Sequence, residues 1–314
     1  MLNTNIQRKK NTNMKVLTVL NPIAGGKDKD QFLDYLENQF VRYGIVHKLF
    51  KTRGERDEYE INQIIEEFKP ERVLSIGGDG TSSICAKCLM NKDIYLGIIP
   101  FGSANGMALE LGLSVDPGEA LDDFLKSRFY KDLDLYKVND KYIGMHIGDI
   151  GLNARIVEGF EKEKARGMFT YAKHFLRELS QSELIDFEIT ADGNKMKEEA
   201  YMVAFANAKK YGTGVILNWK GDPFDGKIEL VFAKDINIRT FLLAGMTAFD
   251  DNIAKNAPTE IISCKKAKIL TNSPVSIQVD GEFIGKLNEV NVKVIPKAVK
   301  LVLVDNESQN TNRS

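Results

Sequence analysis

Cysteine is scarce in this chain: Cys85, Cys88 and Cys264 are all it has in 314 residues. Three thiols do not make a disulfide framework. Cys85 and Cys88 share the C-x-x-C spacing of a redox pair, but two small apolar residues one turn apart on a buried helix is the plainer reading. Histidine is equally rare, and His47, His146 and His174 lie too far apart in sequence to show metal-ligand spacing. Net charge is −1, so there is no basic footprint for nucleic acid. No apolar run reaches the roughly 18 residues needed to cross a bilayer. The first thirteen residues, MLNTNIQRKKNTN, lack the apolar core of a signal peptide, so a cytoplasmic protein is expected. Neither G-x-x-x-x-G-K-[ST] nor G-x-G-x-x-G occurs, which disfavours a P-loop or a dinucleotide fingerprint.

What is present is a globular composition, 43% hydrophobic and 28% charged. The length allows one large domain or two ordinary ones. The first part alternates strand and helix signals. KVLTVL (15–20) is a short continuous apolar run, as in a buried parallel strand. Helical spacing follows over 28–43, with Phe32, Leu33, Leu36 and Phe40 on one face. Strands are predicted at 45–50, 72–76 and 95–99, and helices at 57–68, 81–90 and 104–111; Ile61, Ile64, Ile65 and Phe68 share a face of the second helix. That alternation predicts a parallel sheet covered by helices, with ligands outside the carboxyl ends of its strands. After about Arg128 the period becomes two, at 133–138, 186–190, 201–206, 228–232, 275–279 and 290–295. Asn139-Asp140, Asp192-Gly193, Asp225-Gly226 and Asp280-Gly281 mark turns between them. Helices are expected near 160–179 and 236–249. The fold class expected is therefore an α/β nucleotide-binding domain over 14–130 and an antiparallel β-sandwich or barrel over 131–304. The last strands are allowed to pack back on the first domain, and 1–13 and 305–314 are read as disordered ends.

Three loops rich in glycine and small residues follow the predicted strands: Asn21-Pro22-Ile23-Ala24-Gly25-Gly26, Gly77-Gly78-Asp79-Gly80-Thr81, and Pro100-Phe101-Gly102-Ser103-Ala104-Asn105-Gly106. Glycine lets main-chain N–H groups approach an anion, and a helix N-terminus adds a favourable dipole. Asn21, Thr81, Ser103 and Asn105 add polar side chains, so the set suits a polyphosphate. Any one loop alone could be a tight turn. Asp79 would either cap the next helix or face phosphates, where a carboxylate requires an intervening Mg²⁺. Further on, Val279-Asp280-Gly281-Glu282 and Asp222-Pro223-Phe224-Asp225-Gly226 read first as β-turns; the second also has the oxygens of a hard-cation site.

The motif series resembles the diacylglycerol kinase catalytic-domain family, which includes bacterial lipid kinases and is related to sphingosine kinases. The residues that carry it are NPIAGG (21–26), GGDGT (77–81), GIIPFGSANGMA (97–108), IGLNARIV (150–157), FANAKKYGTG (205–214), DPFDGKIELV (222–231) and VDGE (279–282). NAD kinases share the GGDGT-type loop more distantly. The resemblance implies an NAD kinase/diacylglycerol kinase-like fold and an ATP- and Mg²⁺-dependent lipid kinase. It implies ATP contacts by Asn21, Pro22, Ile23, Ala24, Gly25, Thr52, Gly77, Gly78, Asp79, Gly80, Thr81, Ser103 and Asn105. Glu282 would be the general base, with Asp280 and Asp79 assisting, and Asp222, Asp225 and the Lys227 carbonyl would hold a structural Mg²⁺. The expected partner is a diacylglycerol-like lipid at a membrane surface, with homodimer formation left open. Gly106 and Asn153 stand where acidic residues are common in the family. That leaves a sphingoid-base or long-chain-alcohol kinase, an NAD kinase-like enzyme and a non-catalytic nucleotide-binding regulator as alternatives. Lys162, Lys164, Arg166, Lys173 and Arg177 surround Met168, Phe169, Tyr171, Phe175 and Leu176. This is either an interfacial helix or an ordinary surface helix with snorkelling charges.

Overall fold

The computed structural model describes residues 14–26, 28–152, 154–155, 157–158, 183–211, 215–216, 218–235 and 260–304. The predicted helices at 160–179 and 236–249, the candidate interfacial helix, Asn153 and both chain ends lie outside them. The described residues divide into two compact units. The α/β unit comprises 14–103, 113–130 and 301–304; the β unit comprises 104–112 and 131–300.

In the α/β unit the chain runs β1 (Lys15–Leu20), α1 (Asp30–Tyr43), β2 (Val46–Lys51), α2 (Asp57–Phe68), β3 (Arg72–Gly77), α3 (Asp79–Leu89) and β4 (Tyr95–Pro100). β1 pairs in parallel with β2 and β3, and β3 with β4. β1, β3 and β4 are each buried at five of six positions, as expected of strands covered on both faces. Their apolar side chains meet Leu36 and Phe40 of α1 in one core, which Val302 near the chain end also joins. Gly44, in the left-handed conformation at φ 67°, ends α1 and donates to its last carbonyls. After the five-residue α4 (Gly106–Glu110), which belongs to the β unit, α5 (Pro117–Lys126) returns to this core through Ala120, Leu121 and Phe124.

The period-two region forms antiparallel strand pairs. It contains β5 (Phe129–Val138), β6 (Tyr142–Gly144), β7 (Ile147–Gly151), β8 (Ile185–Ala191), β9 (Asn194–Ala200), β10 (Met202–Ala206), β11 (Lys210–Tyr211), β12 (Val215–Ile216), β13 (Ile228–Ala233), β14 (Glu260–Cys264), β15 (Lys266–Val279) and β16 (Glu282–Leu303). β7 lies between β10 and β15, β10 next to β13, and β13 next to β14. β15 pairs with β16, with register shifts between Leu270 and Val275 and between Ile277 and Gln278, and also with β8. Tyr136, Ile150, Phe187, Phe205, Phe232, Ile277 and Val279 fill the centre of its core. Among the described residues no helix is long and apolar enough to cross a membrane.

Cys85 and Cys88 lie on α3 as free, buried thiols. Burial drives the Cys85 thiol far up and that of Cys88 to about 12, so neither is a reactive thiolate. A maleimide at mildly alkaline pH is therefore expected to leave Cys85, Cys88 and the buried Cys264 unlabelled in the native protein and to label all three after unfolding. Rapid native labelling of Cys85 or Cys88 would revive the redox reading.

Candidate functional site

The three glycine loops, the third as far as Ser103, meet at one edge of the α/β unit's sheet because parallel strands end together. The Asn21 N–H donates to the Ile76 carbonyl at 2.9 Å, and the Phe101 N–H to the Gly77 carbonyl at 2.7 Å. Glycine is required where the loops pass. Gly25 has φ +64°, and a Cβ there would sit 2.2 Å from the Phe101 carbonyl oxygen; one on Gly78 would be 3.2 Å from the Gly102 Cα. A Cβ on Gly77 would collide with the Thr81 hydroxyl at 2.3 Å. Thr81 is 4% exposed, so its side chain supports the loop from beneath. The Thr81 and Ser82 N–H groups both turn back to the Gly78 carbonyl. Thr52 joins the same edge, donating its N–H to the Leu20 carbonyl at 2.9 Å.

Asp79 is the first residue of α3. The cap position is Gly78. Asp79 thus lies one position inside the cap and stands, part-exposed, at the positive end of the α3 dipole. In the first loop the Asn21 side chain is turned inward, accepting the Ile23 N–H at 3.1 Å, whereas the Ile23 side chain is largely exposed. Ser103 is exposed at the end of the third loop. Asn105, at φ 53°, precedes α4 without capping it and belongs to the β unit.

Lys29 organises the first loop, and no sequence motif marks it. Its ammonium donates to the Pro22 and Ala24 carbonyls at 3.2 and 2.8 Å and lies 5.4 Å from the centre of the Phe101 ring. Burial pulls its pKa below the ordinary lysine value, while Asp28 opposes that shift. Lys29→Met keeps the stem and deletes two charge-assisted hydrogen bonds, worth about 1.5–3 kcal/mol each in general. The expected outcome is a lower melting temperature and faster proteolysis in the first loop; no change in either would show that the lysine does not hold the loop.

In the β unit, Asp280 and Gly281 form the two-residue turn between β15 and β16, with φ 49° and 87° and Val279 opposite Glu282. Positive φ at both positions is the hairpin geometry that Asp-Gly favours. The Asp280 carboxylate is held from three directions. Oδ1 accepts the Tyr136 hydroxyl at 3.1 Å and the His146 N–H at 2.9 Å, and Oδ2 accepts the Met145 N–H at 2.7 Å. Burial first, and the Asp280 charge second, keep the Tyr136 phenol far above its usual pKa, so it donates. Beneath the turn, the buried Gln278 binds Asp149 through Nε2 and accepts the Gly281 N–H at 2.7 Å. Glu282, beside this fixed turn, is exposed. Asp280 is thus an anchor, and Glu282 is the carboxylate presented to solvent.

The Asp222–Lys227 loop closes on itself. Asp222 accepts the Phe224 N–H at 3.1 Å, Asp225 accepts the Lys227 N–H at 2.9 Å, and the Lys227 ammonium lies 4.0 Å from the Asp225 carboxylate. The fully buried Asp134 holds it from below, accepting the Gly226 N–H at 2.6 Å and the Lys297 N–H at 2.7 Å. Burial first, then the charges of Asp225 and Asp222, raises the Asp134 pKa against those two hydrogen bonds. Among the described residues no three acidic, histidine or cysteine side chains converge as a metal site. A cation at this loop would rest on the second oxygens of Asp222 and Asp225, main-chain carbonyls and water. Asp134, Tyr136 and Gln278 were not visible as site residues, because their partners lie far away in sequence.

Residues 15–138 match the family described as Diacylglycerol kinase catalytic domain, and 148–303 that described as YegS C-terminal NAD kinase beta sandwich-like domain. A Mycobacterium tuberculosis protein named diacylglycerol kinase is 26% identical over 243 residues, covering 74% of this chain and 76% of its own. A Streptococcus pneumoniae protein named "Putative lipid kinase" is 25% identical over 300 residues, covering 91% and 97%. Among solved structures, a diacylglycerol kinase of Bacillus anthracis superposes with a TM-score of 0.74 at 21% identity over 94% of this chain and 98% of that one. An NAD kinase of Archaeoglobus fulgidus, solved with ATP, gives 0.54 at 13% identity over 95% and 96%. At these identities the two structures share a fold with this chain.

Proposed function

The chain belongs to the diacylglycerol kinase catalytic-domain family, and from that premise we propose that it transfers the γ-phosphate of ATP to the hydroxyl of a diacylglycerol-like lipid. The observation that carries the reading is the meeting of three loops at one sheet edge, with Gly25 and Gly78 where a side chain would meet the backbone of the third loop. Main-chain N–H groups and the N-terminus of α3 suit a triphosphate there.

Asp79 fits the role of holding Mg²⁺, since it stands, part-exposed, at the start of α3 in the second glycine loop. When bound, the metal supplies neutralisation of triphosphate charge. Lys29 keeps the first loop in shape. Glu282 accepts the proton of the lipid hydroxyl as that oxygen bonds to the γ-phosphorus and ADP departs. Asp280 acts on Glu282 through the turn it anchors, as a positioning residue.

The test is ADP release with MgATP and, separately, dioleoylglycerol micelles, sphingosine micelles and NAD⁺. The expected result is ADP release stimulated by dioleoylglycerol, with no NADP⁺ formed. Stimulation by sphingosine alone would move the acceptor to a sphingoid base, and NADP⁺ formation would replace the proposal by an NAD kinase. ATP binding without turnover on any acceptor would favour the regulator.

A further inference from the structure

Four lysines, Lys137, Lys266, Lys268 and Lys293, and two aspartates, Asp140 and Asp192, line a recess of about 410 Å³ in the β unit. Strand register creates the charge. β15 and β16 are antiparallel, with Lys266 directly opposite Lys293 and Lys268 opposite Asn291. Burial alternates along both strands: Ala267, Ile269 and Val292 face the core, while Lys266, Lys268 and Lys293 face out. Like charges directly across an antiparallel pair repel, and the core does not require a lysine at any of these outward positions.

The two aspartates leave part of this charge uncompensated. Asp140 is committed to Lys293 at 2.6 Å. The Asp192 carboxylate is turned to the main-chain N–H groups of Lys265 and Lys266 at 3.0–3.1 Å, where it closes the turn after β8. Lys268 pairs with Glu289 at 2.9 Å. The ammonium groups of Lys137 and Lys266 have no ion pair among the described residues. Thr190, opposite Lys268 on β8, and Asn291 add neutral polar groups to the lining.

We propose that this recess binds a phosphate group. A phosphate monoester or diester brings strong acceptor oxygens and negative charge to Lys266 and to Lys137, which has only a share in Asp140 while that carboxylate is paired with Lys293. The volume falls in the range of small-molecule sites, which leaves room for a phosphate carried on a larger molecule. The recess lies at the start of β15, and the Asp280 turn follows its end, fourteen residues on. The site is therefore separate from that turn. Lipid headgroups and soluble phosphate esters offer the same chemistry.

The test uses the full chain with two probes. Pyrophosphate is titrated by calorimetry, and flotation is measured with phosphatidylcholine vesicles containing or lacking phosphatidic acid. Wild type is compared with Lys137→Ala/Lys266→Ala, with Lys137→Gln/Lys266→Gln, which retains the stems, and with Lys48→Ala in the α/β unit as a control. Both double variants are expected to lose pyrophosphate affinity by about tenfold or more, and wild-type binding should weaken steeply with salt. Melting temperatures should not fall, because neither lysine is buried or makes an ion pair among the described residues. A parallel loss of flotation on phosphatidic acid vesicles identifies lipid headgroups as a source; loss of pyrophosphate binding alone identifies soluble phosphate esters. Binding of both probes by the double variants at the wild-type level, or no binding of either by wild type, overturns the proposal.

Discussion

Glu282→Ala is expected to lower kcat by about 10²- to 10⁴-fold, the usual contribution of a positioned general base, while the melting temperature stays within about 2 °C of wild type. The asymmetry follows from where the carboxylate stands. Glu282 is exposed and follows a turn whose geometry is fixed by other residues. Its neighbour should behave in the opposite way. Asp280→Ala strips the acceptor from the Tyr136 hydroxyl and from the Met145 and His146 N–H groups. Each buried donor left unsatisfied costs about 1–3 kcal/mol, so this variant should melt earlier and lose activity through the displaced turn. Two carboxylates only two residues apart would then separate cleanly, one read in turnover at constant stability and the other in stability first. If Glu282→Ala turned over at the wild-type rate, the assignment of the base would be wrong whatever the fate of Asp280.

Gly25→Ala is expected to give the largest loss in the α/β unit. The backbone at φ +64° already disfavours any side chain by about 1–2 kcal/mol. The added Cβ would also lie 2.2 Å from the Phe101 carbonyl oxygen, so the first and third loops must separate. Gly26 provides the internal control: its φ is +62°, but a Cβ there meets nothing within 4 Å. Gly26→Ala should show the backbone cost alone. Gly25→Ala should add the collision, with a further drop in melting temperature and a rise in KM for ATP of at least about tenfold. Equal effects at the two positions, measured by thermal melting and ATP titration, would mean that the approach to Phe101 does not shape the site.

Much of the α/β unit was legible because each element is local. The apolar runs at 15–20, 72–76 and 95–99 became β1, β3 and β4 to within one residue, and the 57–68 helix has those limits in the structure. α5 went unread although its start is written plainly: Asp116 accepts the Glu119 N–H at 2.9 Å, and Pro117 follows as the first helical residue. The predicted helix at 104–111 shrinks to Gly106–Glu110, since Gly106 and Gly112 flank too short a run. In the β unit, period two marked only 275–279 and 290–295, parts of β15 and β16, which extend to 14 and 22 residues. β9 was missed because NKMKEEA is mostly exposed and charged, and only Ala200 is buried.

The glycine loops and the Asp-Gly-Glu turn were readable because their chemistry lies in consecutive residues. Their supports were not. Lys29 after a glycine loop looks like any surface lysine, and its burial under Pro22 and Ala24 depends on how the loop folds back. Tyr136 lies 144 residues from the carboxylate it binds, a pairing that only the β-unit topology creates. Thr81 was expected to face the ligand. Its burial against Gly77 shows that a hydroxyl in a glycine loop can serve the loop itself.

The central claim is that this chain moves phosphate from ATP onto a lipid. Its most direct test is transfer of label from γ-labelled ATP, with Mg²⁺, into a panel of lipids in mixed micelles, wild type beside Glu282→Ala, with products separated by chromatography. The account predicts label in a diacylglycerol-derived phosphate monoester for wild type and its near disappearance in Glu282→Ala. Absence of label from every lipid, in a protein that still binds ATP, would contradict it.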